Sequence, residues 1–221
     1  MRISLIFAFY FPFFCLQGAP LDTAAKEIVE AGAFLNGRGL CPACSGNLSR
    51  RLDSERIVIT VSGKHKGSLT IEDTLLVNMQ GISQDREKQP SAETLIHIAI
   101  YEGLEKVGAI MHTHSLNGVV LAQCLKPENF LITEGYELHK VFPGIATHES
   151  RLIIPIFENS QDIITMSKEV LSYLKDHPDT YGFLIRGHGF YTWGKDMNET
   201  KTRIEAFEYI FEAELKIRTL R

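Results

Sequence analysis

The chain has 221 residues, of which 44% are hydrophobic and 23% charged, a composition typical of a globular protein large enough to bury a core without disulfides. The formal net charge is −4, and no block of lysine and arginine follows the pattern that tracks a nucleic-acid backbone, so we expect no nucleic-acid partner. No apolar run reaches the roughly 18 to 20 residues of a membrane-spanning helix, so we expect no membrane partner either.

The first 20 residues are the ambiguous part of the chain. Arg2 and the apolar run that follows it, with Gly18 and Ala19 after the run, resemble a signal peptide. The alternative is a non-native or upstream-extended start in front of a cytosolic enzyme, which we favour because the remainder is typical of an intracellular protein. We therefore expect a hydrophobic extension over residues 1–20, outside the fold, and a cytoplasmic catalytic domain over residues 21–221.

Apolar periodicity and turn residues predict alternating helices and strands along the rest of the chain. The predicted helices cover residues 22–35, 91–102, 117–124, 134–140, 160–176 and 198–218. The predicted strands cover residues 56–61, 74–79, 107–111, 152–156, 181–185 and 190–193. Residues 37–49 are predicted as a loop. The interleaving of the two types predicts an α/β fold with a sheet covered on both faces.

Three histidines stand directly after predicted buried strands. His112 and His114 are two residues apart, so their side chains point to the same side of an extended chain. His188 follows a second apolar strand between two glycines. Three protein ligands with a position left for water or substrate are typical of catalytic zinc. The alternative is that these are packed or surface histidines. The other histidines are interpreted as structural or surface groups: His97, His139, His148 and His177.

Two glycine-containing loops are typical of anion-binding sites. The first contains Ser45, Gly46 and Asn47, and the second runs from Ser62 and Gly63 to Lys66. Successive backbone N–H groups in such turns form concave anion sites, to which serine, asparagine and lysine add donors and charge. These loops fit a phosphate group on a small substrate, although ordinary turns remain the alternative.

Cys41-Pro42-Ala43-Cys44 is a less convincing candidate site. Structural zinc usually requires a second pair of ligands, and the sequence offers no second such cysteine pair. Two carboxylates, Glu93 and Glu137, are candidates for acid/base chemistry, which requires a position close to the metal.

Taken together, these stretches resemble the class II aldolase/adducin-head family over about residues 21–218, nearly the whole chain. Cys41 and Cys44 depart from the Val and Thr expected before Ser-Gly-Asn. The resemblance is carried by the following motifs: Ser45-Gly46-Asn47-Leu48-Ser49, Val61-Ser62-Gly63-Lys64-His65-Lys66-Gly67, Pro90-Ser91-Ala92-Glu93-Thr94, His112-Thr113-His114-Ser115, Gly135-Tyr136-Glu137-Leu138 and Arg186-Gly187-His188-Gly189, with Trp193-Gly194.

The resemblance implies a three-layer α/β/α fold with a central mixed sheet and a homo-oligomer, expected to be a tetramer. It implies that His112, His114 and His188 hold one zinc ion per subunit. It matches Glu137 to the catalytic acid/base of the dehydratases in the family. Glu93 falls where related aldolases keep a catalytic or metal-proximal carboxylate, and we group it with the substrate-binding residues of the two loops.

The expected activity is therefore zinc-dependent dehydration of a small phosphorylated sugar. Aldol cleavage or epimerisation of a sugar phosphate remains an alternative, because all three begin from the same metal-assisted chemistry. The motifs around Lys64–Gly67 and Gly135–Glu137 favour dehydration. A non-catalytic interaction module, like the adducin head, is a further alternative, which the complete set of three histidines and Glu137 disfavours.

Overall fold

Eight strands and five helices make up the fold of residues 21–220, the part of the chain that the computed structural model describes. The strands are β1 (Asn47–Arg51), β2 (Arg56–Thr60), β3 (Thr74–Asn78), β4 (Ala109–Thr113), β5 (Phe130–Thr133), β6 (Leu152–Phe157), β7 (Gly182–Ile185) and β8 (Gly189–Gly194). The helices are α1 (Leu21–Gly37), α2 (Thr94–Gly103), α3 (Leu116–Cys124), α4 (Ile163–Asp176) and α5 (Met197–Thr219).

All eight strands belong to one mixed sheet in the order β3-β2-β1-β4-β8-β7-β6-β5. Neighbouring strands are antiparallel except β6 and β7, which are parallel. Strand β4 lies near the middle, between β1 and β8, and pairs His112 with Asn47 on one side and with Tyr191 on the other. The residues after β4 and before β8 therefore emerge at the same edge of the sheet.

Two hydrophobic cores lie on opposite faces of this sheet. Helices α1, α3 and α5 pack on one face, where Phe190, Phe207 and Phe211 are fully buried. Helices α2 and α4 pack on the other, with Met166, Val170 and Leu174 of α4 at helical spacing. The predicted three-layer α/β/α fold with a mixed sheet is confirmed.

Two strands of the structure were not predicted. Residues 47–51 lie in β1, whereas the sequence predicts a loop up to residue 49. Asn47 and Ser49 are polar yet buried, so β1 lacks the apolar run that identifies a buried strand. The other missed strand is β5, at the edge of the sheet, where buried Leu131 and Thr133 alternate with exposed neighbours.

Some predicted helix boundaries also differ from the structure. Helix α2 begins at Thr94, three residues after the predicted start, and α4 begins at Ile163 behind Asp162, whose side chain accepts a hydrogen bond from the Thr165 N–H group at 3.0 Å. The short helix predicted over 134–140 is a 3₁₀ helix, Glu137–Val141.

The hypotheses on residues 1–20 lie outside the described residues. No helix within residues 21–220 combines the length and the apolar character that crossing a membrane requires.

Candidate metal centre and anion-binding cavity

The three predicted histidines meet at one edge of the sheet. His112 lies in β4, His114 follows the end of β4, and His188 lies in the turn between β7 and β8. The centroids of the three rings are 4.8 to 5.0 Å apart, and one ligand atom from each residue lies within 4.8 Å of the others. The three histidines can therefore act together on one metal ion.

The His112 side chain is fixed by contacts with β8. Its Nδ1 atom lies 3.1 Å from the carbonyl oxygen of Phe190, to which the Nδ1–H group donates. Its ring is stacked on Tyr191 with the centroids 4.1 Å apart. The Nε2 atom is buried without a hydrogen-bond partner, so its lone pair is available as a ligand.

Burial favours the neutral form of two of these imidazoles, those of His112 and His114. It lowers the pKa of His112 to about 3, against the opposing effect of the Glu93 carboxylate. Burial also lowers the pKa of His114, with a further contribution from His188. Neutral imidazole is the form that binds a metal, so the donor set fits a divalent ion of the zinc type.

Glu93 is the carboxylate that faces these histidines. Its Oε1 atom lies 3.1 Å from Nε2 of His188, and its Oε2 atom lies 3.4 Å from Nε2 of His112. The amide of Asn47 donates to Oε2 at 2.7 Å. Burial alone would raise the pKa of Glu93, but His112, His188 and this amide together lower it to about 2, so the carboxylate is ionised at neutral pH.

A cavity of about 400 Å³ joins the histidines to both glycine-containing loops. Seven of the predicted residues, from the two loops and the N-cap of helix α2, line it together with His114 and His188. The seven are Ser45, Gly46, Asn47, Ser62, Gly63, Lys66 and Glu93. Two of the three predicted metal ligands and both predicted anion-binding loops thus face one common space.

Lys66 connects the two loops. Its side chain is buried, and its Nζ atom donates to the carbonyl oxygens of Cys44, at 3.1 Å, and of Lys64. Burial lowers the pKa of Lys66. A lysine at this position brings a cation to the cavity wall while holding both loops together.

Gly46 allows the first loop to approach β4. Its φ of +76° lies in the left-handed region, and a Cβ atom there would lie 2.7 Å from the carbonyl oxygen of His112 and 2.8 Å from Cys41 Sγ. A side chain at this position would therefore be strained and would push the loop away from the metal centre.

Glu137 lies elsewhere. Its side chain is 68% exposed and forms ion pairs with Lys140 and, at 3.3 Å, with His148. The Lys140 hydrogen bond is the main cause of a lowered pKa of Glu137. Glu137 is not one of the described residues that line the cavity.

Several cavity residues were not predicted from the sequence. Ser91 and Ala92 precede α2. Ser160 and Gln161 precede α4, and Ile163 is its first residue. Only the first two belong to a motif that carries the family resemblance. Nothing local marks residues 160–163, because only the fold brings them to the cavity.

Within residues 21–220, Cys41 and Cys44 belong to no group of three or more histidine, cysteine or carboxylate side chains that could hold a metal ion. Cys41 is buried, which raises the pKa of its thiol to about 12, whereas Cys44 is an exposed free thiol. Of the remaining histidines, His97 and His139 are buried, and His148 and His177 are exposed.

Comparison with known proteins identifies the class to which this site and fold belong. A family model for the class II aldolase and adducin N-terminal domain matches residues 26–215, and the chain belongs to this family.

Within the family, the chain is similar to proteins named methylthioribulose-1-phosphate dehydratase. It is 50% identical to the one from Pseudomonas fluorescens over 199 residues, which covers 90% of this chain and 95% of the relative. It is 48% identical to the one from Azotobacter vinelandii over 195 residues, covering 88% of this chain and 94% of the relative. The resemblance to dehydratases of the family is thereby confirmed.

Solved structures support the fold. L-fuculose-1-phosphate aldolase from Thermus thermophilus superposes with a TM-score of 0.71 and 21% identity, covering 90% of this chain and 97% of the other. A sugar-phosphate aldolase from Thermotoga maritima superposes with a TM-score of 0.67 and 19% identity, over the same two shares.

Proposed function

We propose that this protein is a zinc-dependent hydro-lyase that converts 5-methylthioribulose 1-phosphate to 2,3-diketo-5-methylthiopentyl 1-phosphate and water. The observation that carries the proposal is the common cavity, in which His114, His188 and an ionised carboxylate face two glycine-containing loops and a lysine. The buried His112 completes the group of three histidines at one end of this cavity. The names of the relatives at about half identity support the same reaction.

The donor set supports zinc as the metal. Three imidazoles are a common protein ligand set for catalytic zinc, and the Phe190 carbonyl orients His112 in the manner typical of such ligands. When bound, zinc would polarise the substrate carbonyl and so acidify the neighbouring C–H group. We assign one zinc ion to each subunit, held by His112, His114 and His188.

The loops are assigned to the phosphate group. The hydroxyl groups of Ser45 and Ser62 and the Lys66 ammonium supply donors and charge at the cavity wall, which Gly46 and Gly63 also line. Binding the phosphate there fixes the position of the carbon chain relative to the histidines, and such orientation lowers the barrier to reaction.

Dehydration removes a proton from C3 and the hydroxyl group from C4, and the resulting enol rearranges to the diketone. Glu93 is ionised and lies against the histidines, so it is suited to accept a proton or to hold a substrate hydroxyl. We assign protonation of the departing hydroxyl to Glu137. Because Glu137 lies outside the cavity, this role requires movement of residues 134–141 or delivery of Glu137 to the cavity of a neighbouring subunit.

We further propose a cytoplasmic homotetramer that acts in methionine salvage. An assembly is supported by exposed apolar side chains on neighbouring strands at the sheet edge, namely Phe130, Ile132 and Ile153. A reducing compartment is supported by the free thiols of Cys41, Cys44 and Cys124.

Aldol cleavage or epimerisation of a sugar phosphate is the second candidate. It is favoured by the contact of Glu93 with His112 and His188, since a carboxylate beside the metal also suits these reactions. A non-catalytic module has less support, because a complete donor set and an anion-binding cavity would then have no use.

Incubation of the purified zinc-loaded protein with methylthioribulose 1-phosphate tests the proposal. We expect formation of the diketone with release of one water per substrate. Mass spectrometry and absorbance measure the appearance of the diketone. Formation of a triose phosphate and an aldehyde would instead establish the aldolase alternative. Unchanged substrate in the presence of stoichiometric zinc would contradict both.

A further inference from the structure

A chain of buried hydrogen bonds leads from the metal centre into the core. Asn47 Nδ2 lies 2.7 Å from Glu93 Oε2, and Asn47 Oδ1 is bonded to Nε2 of His97. On the other side of the His97 ring, Nδ1 lies 2.7 Å from Ser49 Oγ, which lies 2.9 Å from the Tyr101 hydroxyl. All five residues are buried.

The chain is built from two regular elements with matching periods. Glu93, His97 and Tyr101 are four residues apart on α2 and at its N-cap, so they lie on one side of the helix. Asn47 and Ser49 are two residues apart in β1 and face the same side of the sheet. The helix side and the strand side alternate along the chain of bonds, which explains why β1 carries polar residues in a buried strand.

The chemistry of these groups fixes the direction of every bond. The Glu93 carboxylate can only accept, so Asn47 must present its N–H to Glu93 and its oxygen to His97. The His97 Nε2 atom must therefore carry a proton. A neutral ring then has an acceptor at Nδ1, which receives the Ser49 hydroxyl proton, and Ser49 accepts in turn from Tyr101.

We propose that His97 is a positioning residue for the reaction at the metal centre. As the neutral Nε2–H tautomer it holds the Asn47 amide in one orientation, and the amide holds the Glu93 carboxylate against His112 and His188. Reversal of the His97 tautomer would present an acceptor to Asn47 Oδ1, turn the amide and leave Glu93 without its 2.7 Å donor. The proposal rests on the function proposed above, in which Glu93 contacts the substrate or its proton.

The neutral state of the His97 ring supports the proposal. Burial lowers the pKa of His97 to about 3, against the opposing effect of Glu93. A charged ring would have a donor at both nitrogen atoms, so its Nδ1–H group would face the donating hydroxyl of Ser49. The ring is fully buried and its edge faces Tyr191, with the ring centroids 5.6 Å apart, so it cannot exchange these partners for water.

Kinetics of three variants provide one test. In His97→Phe, which removes both nitrogen atoms, we expect kcat to fall by about 10- to 100-fold, with little change in KM and with wild-type zinc content. In His97→Gln, whose amide can still donate to Asn47, we expect a clearly smaller loss. Thr200→Val is the matched control, because it removes a buried hydroxyl that is not part of the chain of hydrogen bonds and is bonded to the Ala109 and Asp196 carbonyls.

A purely structural role for His97 predicts a different result. Both His97 variants and Thr200→Val would then lower the midpoint of thermal unfolding, while kcat per folded, zinc-loaded subunit stayed within about threefold of wild type. Equal losses of kcat in His97→Phe and His97→Gln would also contradict the proposal, since the retained donor would have no effect.

The tautomer itself provides a test that does not depend on activity. In metal-free protein with ¹⁵N-labelled histidine, we expect His97 to show a protonated Nε2 and an unprotonated Nδ1 at neutral pH, with the signals assigned by their loss in His97→Gln. An Nδ1–H tautomer or a charged ring would overturn the proposal. A wild-type protein that fails to dehydrate the sugar phosphate would instead overturn the proposed function, so the two failures are distinguishable.

Discussion

The Nδ1 atom of His112 lies 3.1 Å from the carbonyl oxygen of Phe190, on the neighbouring strand β8. Together with the stacked ring of Tyr191, this contact orients the His112 imidazole within the protein itself. Its Nε2 atom has no hydrogen-bond partner, and its ring centroid lies 5.0 Å from that of His188, which lies in the turn before β8. The candidate metal centre is thus formed by the pairing of β4 with β8.

Metal binding should depend on His188. Replacement His188→Gln removes one of three imidazole ligands from a partly exposed position, and we expect the affinity for zinc to fall by at least about 100-fold with little loss of stability. Competition with a chromophoric chelator measures the affinity. His177→Gln is the control, because His177 is exposed and its ring stacks on Tyr173. Equal zinc affinities in the two variants would show that His188 is not a ligand.

Binding of phosphorylated substrates should depend on Lys66. Replacement Lys66→Met removes a buried ammonium from the cavity wall, and we expect KM to rise by about 10- to 100-fold, with a smaller change in kcat. Competitive inhibition by inorganic phosphate should weaken in parallel.

Lys64→Met is the matched control for this prediction. Lys64 lies two residues away, but its side chain is half exposed and pairs with Asp73 at 2.9 Å. We expect wild-type KM in this variant. A Lys66→Met protein that retained wild-type inhibition by phosphate would remove this loop from the anion site.

The sequence predicts the strands that have a simple environment. Residues 107–111 and 181–185 are apolar because helices cover both faces of the sheet there. Strand β1 lies equally deep, but its side chains on the α2 side are Asn47 and Ser49, which are bonded to groups on α2 and at its N-cap. A pattern of hydrophobicity cannot identify a strand whose buried side chains are polar and satisfied by a distant helix.

The candidate site is predictable to the same extent. The sequence predicts His112, His114 and His188 as metal ligands because each stands directly after a predicted buried strand, where a ligand is a more common role for histidine than elsewhere. The sequence places His97 on a helix and predicts only a structural group there, since its partners Asn47 and Ser49 lie about 50 residues away in the chain. Such a role is defined by contacts, and no local spacing encodes it.

Turnover should depend on Glu137 if this residue protonates the departing hydroxyl. We expect Glu137→Gln to lower kcat by about 100-fold or more while zinc content is retained. Glu134→Gln is the matched control, because Glu134 is also exposed and paired, in its case with Arg151. Near-normal turnover in Glu137→Gln would transfer the acid role to another group, for which Glu93 is the nearest carboxylate to the histidines.

The stability of the fold should depend on the protonation of Glu208. Its carboxyl accepts a hydrogen bond from Ser115 Oγ at 2.9 Å, and its Oε1 atom is buried without a partner. Burial is the main cause that raises the pKa of Glu208 from 4.5 to about 6. Between these two values the folded chain binds more protons than the unfolded chain, so the free energy of unfolding decreases as the pH rises through this range.

Glu208→Gln isolates this contribution, because glutamine keeps an acceptor for Ser115 without a charge. At about pH 4, below the pKa of the unfolded chain, the two proteins should be similarly stable, and by about pH 7 the variant should be more stable than wild type by no more than about 2 kcal/mol. Urea unfolding at one protein concentration measures the difference at each pH. A stability difference that did not change with pH would contradict this prediction, because it would mean that the pKa of Glu208 is the same in the folded and unfolded chains. The group that accepts the Ser115 hydrogen bond beside His114 would then be an ionised carboxylate at neutral pH.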